Sequence, residues 1–248
     1  MRKKQTKSGV EGSSQLYGLL AALSDDLALP LLQIKSVLEL ISSDNFSKVS
    51  ALAHAQTMLL SADNGLQLIE AYRLVLKAAD PDSRQFEPVA IGAVLQAVAH
   101  ELSPYAKKYN TALEVDIQRS LTPVLVHQPS LVAAIQVLSS SIIRAQAATS
   151  QQKNYRLLLA AHRVGGSDVS AGVFSSVQGL SDRTLRTARA LMGRARQPLP
   201  SVPAGAASGV LIADMLCTAM WQPLRAAAHG GLHGLVTAVP ISKQLQFV

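Results

Sequence analysis

Leu16-Tyr-Gly-Leu-Leu-Ala-Ala-Leu-Ser-Asp-Asp-Leu-Ala-Leu-Pro-Leu31 decides how the chain is read. The apolar pattern continues to Ile41 through Leu16, Leu20, Leu23, Leu27, Leu31, Ile34, Val37, Leu38 and Ile41. Steps of three and four place these residues in one stripe along a helix. Pro30 falls inside the run, removes a backbone donor and is expected to kink or loosen the helix. Ser42-Ser-Asp-Asn45 is a turn signal. A second helical pattern runs through Phe46, Val49, Leu52, Leu59, Leu66, Ile69, Tyr72 and Leu76 and stops near Ala79-Asp-Pro-Asp-Ser83. Two long amphipathic helices joined by a short turn make a hairpin. One hairpin cannot cover both of its stripes, whereas two can as a four-helix bundle, so residues 15–80 predict a homodimer.

Residues 1–14 begin with Met-Arg-Lys-Lys-Gln-Thr-Lys and continue polar and glycine-containing, which reads as a flexible basic tail. A signal peptide would follow such a start with an apolar stretch. No apolar run reaches the ~18–20 residues of a membrane span. The expectation is a cytoplasmic protein without a transmembrane segment. The 248 residues are 48% hydrophobic and 16% charged, which excludes a disordered chain and allows one large domain or two small ones. A net charge of +7 favours acidic partners weakly. Cys217, the one cysteine, lies in an apolar run, so neither a disulfide framework nor a cysteine-based metal site is possible.

From Phe86 the pattern changes. Val89–Leu102 reads as a helix ending before Pro104. Ala112–Ile117 alternates as a strand, and Val124–Val126 is a second, short strand. Leu131–Ala148 is an apolar helix, and Tyr155–Ala161 is a third strand. Ser181–Arg196 reads as a basic helix and Gln197–Ser208 as a loop. Val210–Met220 is another apolar helix. Leu224–Ala228 and Leu232–Val239 are strands joined at His229-Gly-Gly231. The class is therefore α+β: an N-terminal helical hairpin, then, over 86–248, an α/β sandwich with helices on one face of a mixed sheet.

This order, with Ser24-Asp25-Asp26-Leu27-Ala28-Leu29-Pro30-Leu31 on the first helix, resembles the core of sensor histidine kinases. Members of that family carry Ser-His-Glu-Leu-x-x-Pro-Leu there. The resemblance puts Asp25 at the phosphoacceptor histidine and matches Asp26 to its acidic neighbour. A carboxylate is a poorer nucleophile at phosphorus than a neutral imidazole, so no catalytic residue is expected. Ser24, Asp25, Asp26, Ala28, Leu29 and Pro30 would form the partner-docking surface. His100-Glu101-Leu102-Ser103-Pro104 imitates the motif, but its proline comes one residue early and it follows the interdomain linker.

The resemblance also places a nucleotide pocket. The family's Asn-Leu-x-x-Asn-Ala box matches Val137-Leu-Ser-Ser-Ser141-Ile, with both asparagines replaced. The Asp-x-Gly-x-Gly box matches His162-Arg-Val-Gly-Gly166, where His162 replaces the adenine-binding aspartate. The glycine phosphate loop matches Gly205-Ala-Ala-Ser-Gly209, ahead of a helix N-terminus that could receive an anion. Arg183, Arg186 and Arg189 recur every third residue where the family has its lid, with Arg194 and Arg196 beyond.

Three functions follow from these residues. The leading one is a non-catalytic dimeric regulatory module that docks a response regulator or phosphotransfer protein, with no cofactor and no metal. The second is an atypical kinase or ATPase that binds ATP and magnesium in a remodelled pocket. The third is a basic adaptor for nucleic acid, disfavoured because no aromatic residues interleave with the arginines.

Overall fold

In a computed structural model, residues 5–42, 48–78, 85–148, 154–176, 180–190 and 207–243 are described. Helices α1 (Gln5–Ser42) and α2 (Lys48–Lys77) form the hairpin. The first helix begins at Gln5, inside the stretch read as a tail; no proline interrupts the chain between there and Leu16. Pro30 lies inside α1 and is buried. An alanine-like methyl at Gly65 of α2 would sit 3.7 Å from Leu27 and 3.9 Å from Pro30, so the two helices cross closely there.

Helix α2 has two apolar faces. Leu68, Ala71, Tyr72, Leu74 and Val75 are buried in the main core, where α2 packs against the fourth and sixth helices of the chain. Leu52, Leu59, Leu66, Ile69 and Leu76 remain exposed. Leu52, Leu59 and Leu66 are seven residues apart, the spacing of a helix–helix seam. The hairpin is thus continuous with the core of the sandwich.

The sandwich starts with β1 (Glu87–Val89), which sequence periodicity does not reveal, paired antiparallel with β3 (Val124–Val126). Between them lie α3 (Ile91–Lys108) and β2 (Thr111–Ile117). Helix α3 does not end before Pro104 but passes through it. Leu102, Tyr105 and Ala106 are buried on either side of the proline, and their packing outweighs the roughly 3 kcal/mol that an interior proline costs. Helix α4 (Gln128–Ala148) then leads into β4 (Tyr155–Val164) and β5 (Asp168–Ser175). Helices α5 (Asp182–Ala190) and α6 (Ala207–Ala219) and strands β6 (Arg225–His229) and β7 (Leu232–Pro240) follow.

The five-stranded sheet runs β2-β4-β5-β7-β6, with β2 and β4 parallel and the other neighbours antiparallel. Alternation sorts its side chains. Leu157, Leu159, Ala161, Val169, Ala171 and Val173 face the helices in the main core. Leu158, Ala160, Phe174 and Leu232 form a smaller cluster on the opposite face. Gly230 and Gly231, at φ 56° and 76°, make the two-residue β6–β7 turn, a geometry that needs positive φ at both positions. Cys217 is fully buried in α6, and burial pushes its thiol up to about 12, so it is a neutral core residue.

Candidate functional site

The middle of α1 separates its polar residues. Ser24 is exposed and its Oγ donates to the Leu20 carbonyl at 3.0 Å. Asp25, Ala28 and Leu29 are exposed, whereas Asp26 is partly buried and accepts the Tyr72 hydroxyl at 2.8 Å. The two neighbouring acids therefore differ in setting: Asp26 ties α1 to α2, and Asp25 is exposed. Pro30, expected on the docking surface, is instead packed against α2 near Gly65; its ring faces the helix crossing. Leu20, Leu29, Leu31, Leu32, Leu38, Leu40 and Ile41 extend the exposed apolar surface along α1.

The expected nucleotide residues do not converge. Val137 and Ser141 are buried in α4. Gly209 lies within α6, not in a loop, and a Cβ there would stand 1.8 Å from Ser141 Oγ. The helix crossing occupies the space beside Ser141. His162 is on β4, on the face turned away from α4, and Gly166 is in the β4–β5 turn. The sheet stands between these residues and Ser141. The reason is β5: the strand that leads into α5 is β5, not β4. Ser175, buried at the end of β5, closes the strand that precedes α5. Gly205, Arg194 and Arg196 lie outside the described residues.

Helix α5 is fastened to the fold. Leu185 is buried beneath it, while Arg183 and Arg186 are exposed. Arg189 forms a bidentate pair with Asp214 of α6, at 2.7 Å for each bond, and donates to the Leu224 carbonyl at 2.8 Å. Asp214 also accepts the Leu224 amide at 3.0 Å. Hydrogen bonding to Asp214 raises the Arg189 pKa, so the guanidinium stays charged. Sequence reading passed over Asp214, although a lone carboxylate in the apolar run Val210–Met220 was the available signal. A cavity of about 360 Å³ lies between hairpin and sandwich, where Asp63, Asn64, Glu101, Tyr105 and Ser140 line it.

No family model matches the chain, and no curated protein does. Solved structures do. Histidine kinase AdeS of Acinetobacter baumannii superposes with a TM-score of 0.53 at 12% identity, over 88% of this chain and 98% of that one. Histidine kinase ThkA, solved in complex with response regulator protein TrrA, gives 0.53 at 11% identity, over 97% of this chain and 65% of that one. Full-length ShkA, solved in complex with AMPPNP, gives 0.50 at 15% identity, over 94% of this chain and 45% of that one. The fold is therefore that of the histidine kinase core, helical hairpin and α/β sandwich together. Among the described residues no helix is long and apolar enough to cross a membrane.

Proposed function

We propose that this chain is a dimeric, histidine-kinase-like regulatory module that docks a receiver-type signalling protein on its hairpin and does not phosphorylate itself from ATP. The observation that carries this reading is the exposed Asp25, standing where the resemblance places the phosphoacceptor, on a helix that also exposes Leu29. The ThkA structure holds a response regulator, which supports the same class of partner here. Ser141 under Gly209 supports the loss of nucleotide chemistry, since its side chain supplies neither a carboxylate nor an amide oxygen. No nucleotide cofactor is needed for docking.

Incubation with γ-labelled ATP and magnesium should leave the purified chain unlabelled and its melting temperature unchanged. Labelling that disappears in Asp25→Ala would overturn the proposal. The dimer rests on the second face of α2, where Leu59 and Leu66 are both 63% exposed. Burying each leucine is worth about 1.5–3 kcal/mol. Leu59→Glu combined with Leu66→Glu should therefore convert a dimer to a monomer in light scattering, with the helical circular dichroism retained. A monomeric wild-type chain would remove the dimer from this reading.

A further inference from the structure

Three metal-ligating side chains meet on the sheet face turned away from the helices. Asp116 is on β2, His162 on β4 and His229 at the end of β6. Strands β2 and β6 are the two edges of the five-stranded sheet, so the sheet coils until its edges approach on this face. His229 Nε2 lies 2.7 Å from Asp116 Oδ2. The His162 and His229 rings are 4.2 Å apart between centroids. One ligand atom from each of the three residues lies within 4.8 Å of the other two.

A plain histidine–carboxylate clip explains only part of this arrangement. It satisfies His229 and Asp116 but leaves His162 Nε2 buried without a hydrogen-bond partner. Phe174 stands 5.4 Å from the His229 ring, and Leu158, Ala160 and Leu232 pack nearby, so the imidazoles have an apolar surround. The Asp116 side chain is 51% exposed, which leaves a route for an ion and room for a water.

We propose that Asp116, His162 and His229 form a binding site for a divalent transition-metal ion, zinc first. Two imidazoles and one carboxylate suit zinc, with water in the fourth position. Magnesium and calcium prefer all-oxygen sites. Zinc–ligand bonds of about 2.0–2.1 Å set tetrahedral ligand atoms roughly 3.3 Å apart, so the His229–Asp116 contact must open by less than about 1 Å. The ion would join the two sheet edges through residues 113 apart in sequence. It would act as a structural clasp, independent of the docking surface on α1.

The test uses the untagged full chain, stripped with EDTA and titrated with zinc chloride by calorimetry. The expected result is one zinc per chain, a higher melting temperature that EDTA reverses, and tetrahedral visible bands when cobalt(II) replaces zinc. Asp116→Asn, His162→Gln and His229→Gln should each weaken binding by at least about tenfold, the smallest loss usual when even an outer partner is removed. His100→Gln, at an exposed helical histidine, should bind zinc as the wild type does. Should His162→Gln fail to fold, Asp116→Asn at the half-exposed carboxylate still decides. No zinc heat and no melting shift would overturn the proposal, as would unchanged binding in Asp116→Asn.

Discussion

Gly209→Ala is expected to destabilise the fold by roughly 2–3 kcal/mol, at the upper end of what overpacking costs. The added Cβ would lie 1.8 Å from Ser141 Oγ, 2.4 Å from Ser141 Cβ and 2.9 Å from the Val137 carbonyl oxygen. Rotating the serine hydroxyl removes only the first contact. The second is with a Cβ fixed to the backbone, so α4 and α6 must separate. Both are held in the main core, α4 by Val137, Leu138 and Ile142 and α6 by Val210, Ala213 and Leu216. Ser141→Gly deletes both offending serine atoms. Placed behind Gly209→Ala, it should recover most of the loss, less about 1 kcal/mol for a glycine inside a helix. Urea midpoints for the two single variants and the double variant form the cycle that measures this coupling. A near-neutral Gly209→Ala would show that the crossing is looser than described.

Arg189→Ala is the second large effect. Removing one partner of a buried ion pair costs about 3–5 kcal/mol, because the other charge stays buried. The Arg189 side chain is 36% exposed and Asp214 4%, so water screens part of the pair and about 2–4 kcal/mol is expected. The Leu224 amide alone would then face the Asp214 carboxylate. Arg189→Ala with Asp214→Asn should be milder than Arg189→Ala alone, since the stranded charge is gone. Denaturant unfolding measures the energies. Hydrogen exchange should show protection lost in α5 before the sheet, because Arg189 fastens that helix together with Leu185 and the hydrogen bond from the Ala226 amide to Asp182.

Helical periodicity made the hairpin, α4 and α6 legible, and the two glycines marked the β6–β7 turn. Residues 168–175 were missed for a physical reason. Val169, Ala171 and Val173 alternate inward as a strand should, but Ser170 and Gly172 between them lack β-branched or aromatic side chains. Without that strand, the match to the family's aspartate was made at the end of β4, on His162. The same omission hid the three-residue cluster, because His162 lies past the β2–β4 ladder, where its strand partner is β5, and β5 is what joins β4 to the β7–β6 edge that carries His229. Pro104 misled in the opposite direction: its local signal was right, and the buried residues around it prevailed. Asp25 and Asp26 look equivalent in sequence, and only the position of Tyr72 on the facing helix distinguishes them.

The two apolar faces of α2 turn that helix into a drive shaft. Its inner face is seated on α4 and α6, and its outer leucines are exposed. A molecule that rolls the hairpin about its axis must therefore repack α4 and α6 with it. Whatever grips the outside of the hairpin and displaces α2 acts on the sandwich through that one helix, and by thermodynamic reciprocity anything in the sandwich that changes that grip is changed by it by the same factor.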